Sequence, residues 1–97
     1  MARGQSELTN KQWAKLAPLL PEPKPSPKGD RRPISNRPCF EGILWVLRSG
    51  ARWEDLPKRF PSPSTCWRRL RDWEEQGLWL KVWRTFLAEL DVKRRLR

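Results

Sequence analysis

The chain has no histidine and only two cysteines, Cys39 and Cys66, among its 97 residues. Without histidine and without a C-x-x-C pair, no zinc-type ligand set can be assembled, so no metal is expected. No Gly-rich phosphate loop is present either, and nothing in the sequence points to stand-alone catalysis or to a cofactor. Long apolar runs are also missing. No stretch approaches the ~20 apolar residues of a membrane-spanning helix, and the opening MARGQSELTN lacks the apolar run of a signal peptide. The two cysteines are far apart in sequence, at apolar-periodic or helix-start positions. They read as small buried hydrophobes, which suits a reducing cytosol. Acidic residues are scarce, 11 against 21 Lys and Arg, for a formal charge of +10.

That charge favours a polyanionic partner: DNA, RNA or an acidic membrane surface. The length fits one small domain with tails. Hydrophobic residues are 37% of the chain, and seven of them are tryptophans, enough large rings to fill a small core. Prolines and glycines are clustered, and the clusters mark the breaks between elements.

Residues 1–8 are polar and expected to fray. Thr9 then caps a first helix, TNKQWAKLAPLL, in which Trp13, Leu16, Ala17 and Leu20 share one stripe. Pro18 bends or shortens its last turn, and Pro21 ends it. Residues 21–37, PEPKPSPKGDRRPISNR, hold five prolines and five basic residues, which predicts an extended, poorly ordered connector. Two roles are open to it. It is either a basic arm that lays Arg31, Arg32 and Arg37 along a phosphate backbone or minor groove, or a linker kept open by its own charge.

A second helix opens at Arg37-Pro38 and closes at Gly50. Its Phe40, Ile43, Leu44 and Leu47 follow i, i+3, i+4, i+7 and predict a core face, while Trp45 covers a second surface. Trp53 to Lys58 makes a short middle helix whose Trp53 and Leu56 plug the groove beside the next one. Arg48 and Arg52 flank this turn, either as cations that complement a helix end or as phosphate contacts.

Ser62-Pro63 starts a third helix, with Ser as N-cap and Pro at the first helical position. Cys66, Leu70 and Trp73 form its inner face. Ser64, Arg68, Arg71 and Asp72 lie opposite, with Thr65 and Arg69 beside them. A helix packed by one side and offering Ser, Thr and Arg on the other suits major-groove reading, so residues 62–76 are the predicted recognition helix. Arg68 and Arg71 suit guanine O6 and N7, which a guanidinium fork meets bidentately. Ser64 and Thr65, at the helix N-terminus, suit phosphate, as does Arg69 on the flank. Two places are open to Trp67, the edge of the core or a wedge near the groove, and it is assigned to the core edge.

After Gly77, Trp79, Val82, Trp83, Phe86, Leu87 and Leu90 form a face wider than a three-helix unit needs. It either packs back on the first two helices or receives a partner domain or a second copy, as in a homodimer. Residues 93–97 are a basic tail that frays or adds phosphate contacts. The expected fold is all-α: a helix-turn-helix bundle of four to five helices over residues 9–92, with the basic linker after the first helix.

The order LTNKQWAKLAPLLP, a Pro/Lys/Arg linker, FEGILWVLRSGARWEDLPKRF and STCWRRLRDWEEQGLWLKVW resembles the N-terminal domain of bacterial IS-five-type insertion-sequence transposases. That module is also described as an insertion element IS-four-oh-two-like domain. The resemblance runs from about Leu8 to Leu90. Its most specific parts are the LT-x-x-QW opening, the run from Ile43 through Arg-Trp-x-Asp-Leu-Pro at 52–57, the Ser-Thr-x-x-Arg-Arg from Ser64, and Trp73.

The resemblance implies binding of double-stranded DNA at the element's terminal inverted repeats, in a bacterial, cytoplasmic, nucleoid-associated setting. It also implies a following RNase-H-like domain whose Asp-Asp-Glu triad holds two metal ions. The sequence ends at Arg97, before such a domain, so the chain is expected to be no enzyme by itself. It reads as a truncated copy, a first frame joined to the catalytic domain by frameshifting, or a fragment. Two competing readings remain: an interaction module using the last helix, and a repressor-like regulator that competes for the same DNA ends.

Overall fold

The computed structural model describes residues 8–23 and 34–95, with side chains through Leu90. The described residues are all-α, helices joined by turns with no strand among them. Arg31 and Arg32 lie outside the described residues, as does most of the predicted connector.

Helix α1 runs Asn10–Leu16 and begins where Thr9 closes a reciprocal cap. The Gln12 N–H donates to Thr9 Oγ1 at 3.1 Å, and the Thr9 N–H donates to Gln12 Oε1 at 2.9 Å. That pairing lets the polar Gln12 be buried. Leu8, assigned above to the frayed N-terminus, is instead buried in the core. It stands just before the cap, where an apolar residue fixes the entry angle of the chain. Pro18 ends the α-helical pattern, and Ala17–Leu19 tightens into a 3-10 turn.

Helix α2, Asn36–Ser49, starts one residue before the expected opening, so Asn36 and Arg37 are helical and not part of the linker. Pro38 sits in its first turn, where N–H groups have no helical acceptor anyway. After Gly50, the expected Trp53–Lys58 helix shortens to a 3-10 turn over Trp53–Asp55. Pro57 is the cause, because it drives the preceding Leu56 to ψ 126°. Helix α3, Pro63–Glu75, is capped by Ser62, whose Oγ accepts the Thr65 N–H at 3.2 Å.

Gly77, at φ 75°, makes the left-handed exit from α3. There the Leu78 N–H reaches back to the Trp73 carbonyl at 2.8 Å and the Gly77 N–H to that of Glu74 at 3.0 Å. Helix α4, Trp79–Arg95, follows at once, and its backbone stays helical into the stretch assigned to the basic tail.

The core centres on Phe40 of α2. Its ring lies 6.0 Å from Trp13, 5.9 Å from Trp79 and, edge-on, 5.7 Å from Phe86. Helices α1 and α4 thus meet over α2, and the wide face of α4 packs back with Val82 and Phe86 fully buried. Trp73, Trp79 and Trp83 continue as a stack, with successive centroids 6.3 and 5.7 Å apart. Such pairs add about 0.5–1.5 kcal/mol each beyond area burial. Leu47 departs from expectation at 50% exposed. It shares the stripe of Ile43 and Phe40, but the covering rings converge on Phe40, two turns earlier, and Val46 is the residue buried in its place.

Helices α2 and α3 approach closely because Gly42 has no side chain. A Cβ there would meet Cys66 Sγ at 2.9 Å and Phe60 Cβ at 3.4 Å. No helix among the described residues is long and apolar enough to cross a membrane.

Candidate nucleic-acid interface

Helix α3 is held by its inner face. Cys66 and Trp73 are buried there, with Leu70 partly covered. A polar clasp adds orientation: Arg69 Nη1 donates to Asn36 Oδ1 at 2.8 Å and Nη2 to the Ile34 carbonyl at 2.9 Å. The Asn36 amide in turn donates to the Pro21 carbonyl at 2.8 Å. One arginine therefore ties α3 to the start of α2 and to the chain leaving α1. Arg37 does the same for α1. Its Nε pairs with Glu41 at 3.1 Å, Nη1 donates to Asn10 Oδ1 at 2.8 Å, and Nη2 to the Leu8 carbonyl at 3.2 Å. The sequence places Arg69 on phosphate by its flanking position and Arg37 there if the connector is a basic arm. The structure engages part of each guanidinium within the fold, Nη1 and Nη2 of Arg69 and Nε, Nη1 and Nη2 of Arg37.

The outward stripe of α3 is Ser64, Trp67, Arg68 and Arg71, at i, i+3, i+4 and i+7, and all four are exposed. Arg68 has no ion pair or hydrogen bond with any described residue, so its five donors are uncommitted. Arg71 reaches the carboxylates of Asp72 and Glu75 only at 3.9 Å each. Its guanidinium lies 5.2 Å from the centroid of the Trp67 ring. Trp67 is 46% exposed, which overturns its assignment to the core edge. The reason is angular: Trp67 lies about a quarter turn from the Cys66–Leu70–Trp73 line, outside the arc that α2 and α4 cover.

At the start of α3 the Ser62 hydroxyl lies 2.9 Å from that of Thr65 and 3.4 Å from that of Ser64, a small cluster beside the Ser64 N–H, while the Thr65 and Cys66 N–H groups donate to Ser62 and Pro63 has none. From Asn36 to Gly42, the neighbours of α2 run from Arg69 back to Cys66 and Phe60, so the two helices run oppositely. Arg48, in the last turn of α2, therefore lies toward the N-terminal end of α3. It is exposed and has no partner among the described residues. Arg52 is exposed too, but it pairs with Glu54 at 3.0 Å and lies 3.8 Å from Asp55, so its charge is partly offset locally.

Lys58 and Arg59 are further exposed cations just before α3, and Arg59 lies 4.6 Å over the Phe60 ring. Two adjacent cations ahead of the predicted recognition helix are visible in the sequence, although the spacing argument does not single them out.

Cys39 and Cys66, distant in sequence, meet at the buried α2–α3 contact as free thiols. The hydrogen bond with Cys39, helped by burial, pushes the Cys66 thiol well up. The same hydrogen bond lowers Cys39 against the opposing effect of burial. Among the described residues no three His, Cys, Asp or Glu side chains gather into a metal-holding group.

Against this geometry the comparisons are specific. A family model described as "Putative transposase of IS4/5 family" matches residues 8–83, the span from the α1 cap into α4. The chain belongs to the IS4/5 transposase family. Within that family it is 48% identical over 82 residues to the insertion element IS402 uncharacterized 16.2 kDa protein of Burkholderia cepacia, covering 80% of this chain and 56% of the relative. It is 32% identical over 87 residues to the uncharacterized protein y4sN of Sinorhizobium fredii (strain NBRC 101917 / NGR234), covering 89% of this chain and 67% of the relative. The IS4/5 chain thus spans little more than half the length of the Burkholderia relative. No solved structure matches it.

Proposed function

We propose that this IS4/5-family chain is the sequence-specific DNA-binding module of a bacterial insertion-sequence transposase, reading the element's terminal inverted repeats. The observation that carries this reading is the division of α3, buried and clasped on one side and presenting exposed Ser64 and uncommitted Arg68 on the other. With α2 and the Trp53–Asp55 turn, α3 acts as the second helix of a helix-turn-helix. Its N-terminal half enters the major groove.

Arg68 and Arg71 read guanine there. Ser64 and Thr65 hold phosphate at the helix start, and Arg48 and Arg52 add backbone contacts beside it. Arg31 and Arg32 supply the basic arm. Arg37 and Arg69 act inside the fold. DNA cutting and joining fall to a separate or frameshift-fused Asp-Asp-Glu domain.

The test is fluorescence anisotropy with the inverted repeats flanking the gene against a shuffled duplex, over a salt series. Specific reading predicts cognate binding that survives moderate salt while the shuffled duplex is lost early. Parallel loss of both would leave only a basic surface.

A second reading, a protein-interaction module, has its own observation. Leu80 and Leu87 stand one heptad apart on α4 and are 56% and 45% exposed. Self-association with no DNA binding in the same assay would favour it.

A further inference from the structure

The outward stripe of α3 contains one residue that charge arguments overlook. A large aromatic ring on a basic reading face is costly to leave in water, and Trp67 is nearly half exposed there with Arg71 lying over it. Two kinds of partner compete for that guanidinium. The Asp72 and Glu75 carboxylates sit at the loose limit of an ion pair, 3.9 Å, and all three side chains are well exposed, so their hold is weak. The indole lies 5.2 Å from the guanidinium carbon, within the ~6 Å range of a cation–π contact.

The two partners differ in what they leave free. A carboxylate consumes N–H donors. A stacked ring engages only the flat face of the guanidinium, so the in-plane donors remain available while the rotamers of the long side chain narrow. On a helix face that also carries unpaired Arg68, in a chain of formal charge +10, the matching partner is a duplex rather than an apolar surface.

We propose that Trp67 is a positioning residue for Arg71, holding its guanidinium stacked and edge-outward so that Arg71 sets one guanine preference in the bound duplex. This rests on α3 being the DNA-reading helix. Arg59 over Phe60, at 4.6 Å, is the same chemistry off the α3 stripe and serves as the internal control.

The experiment measures anisotropy for the wild type, W67A, W67F, R71A, W67A/R71A and R59A. The inverted-repeat duplex is used intact, and then with each guanine in turn replaced by 7-deazaguanine, which lacks the N7 acceptor. R71A should weaken cognate binding about tenfold and become indifferent to deazaguanine at one position. W67A should weaken it about two- to fivefold, with the deazaguanine penalty reduced at that same position. W67F should restore most of that loss. The double variant should bind no more weakly than R71A. R59A, a cation beside the stripe, should weaken the intact and every deazaguanine duplex by the same factor and so keep the full guanine preference.

Melting temperatures should match for wild type and W67A, since an exposed ring carries little of the fold. Three results would overturn the positioning role: W67A binding like wild type, W67A and R71A losses that multiply in full, or R71A keeping its guanine preference. A wild-type protein that fails to separate cognate from shuffled duplex would instead remove the reading beneath it, and would do so before any variant is made.

Discussion

Arg68 and Arg69 are neighbours on α3 with identical side chains, and they do opposite things. Arg69 turns toward α2, where an Asn36 amide oxygen and the Ile34 carbonyl stand at 2.8 and 2.9 Å, and it becomes part of the fold. Arg68 turns one residue further round the helix, meets no acceptor among the described residues, and stays available. The contrast shows that basic charge by itself does not tell whether an arginine's donors are engaged within the fold or left free. An arginine's role follows from which carbonyl or amide oxygen stands opposite it, and those oxygens come from parts of the chain more than 30 residues away in sequence.

Three substitutions sharpen that contrast. Trp73→Ala removes the largest fully buried side chain, on the inner face of the same helix. It should cost about 3–5 kcal/mol in urea unfolding, with loss of the helical signal at moderate denaturant. Arg69→Met keeps the side-chain length but removes both hydrogen bonds of the clasp. It should cost about 1–2 kcal/mol of stability, and its DNA affinity should recover in stabilising osmolyte, where the fold is restored. Arg68→Ala should leave unfolding within about 0.5 kcal/mol of wild type, yet cost about 1–3 kcal/mol in cognate binding and relax base preference at one position. If Arg68→Ala destabilised the protein as much as Arg69→Met, the two faces of α3 would not be distinct. Equal losses on cognate and shuffled duplexes would remove Arg68 from the groove.

The helices were largely legible because their ends depend on local chemistry. Thr9 with Gln12, Ser62 with Pro63, Gly50 and Gly77 each satisfy or release backbone groups within a few residues, so the signals lie in short windows. The stripes on α3 and α4 were legible for the same reason. Burial was less so. Leu47 lies on a correct stripe, but periodicity gives a direction and not the height at which a neighbouring helix arrives. Trp67 was misassigned because large rings are usually buried, a tendency that ignores angle. The clasps of Arg37 and Arg69 and the meeting of Cys39 with Cys66 depend on pairings between distant segments, which no window of sequence contains. At the candidate site, Ser64, Arg68 and Arg71 could be placed on the outer face from spacing alone. What separated them from Arg69 was the fold.

The tryptophan stack has an optical consequence. Trp73 and Trp79 lie with their planes only 6° apart, and Trp83 follows at 21° from Trp79, so three strongly absorbing rings are held in fixed mutual orientation by the core. Coupling between their transition dipoles gives the folded chain a near-ultraviolet circular dichroism signature that disappears once the rings tumble independently. Trp67, exposed on the outer side of α3 and in no ring pair with that stack, contributes little to it and emits from a wet environment instead. The protein thus carries two native reporters of one residue type: dichroism follows the integrity of the core, and the red edge of the emission follows what happens on the outer face of α3.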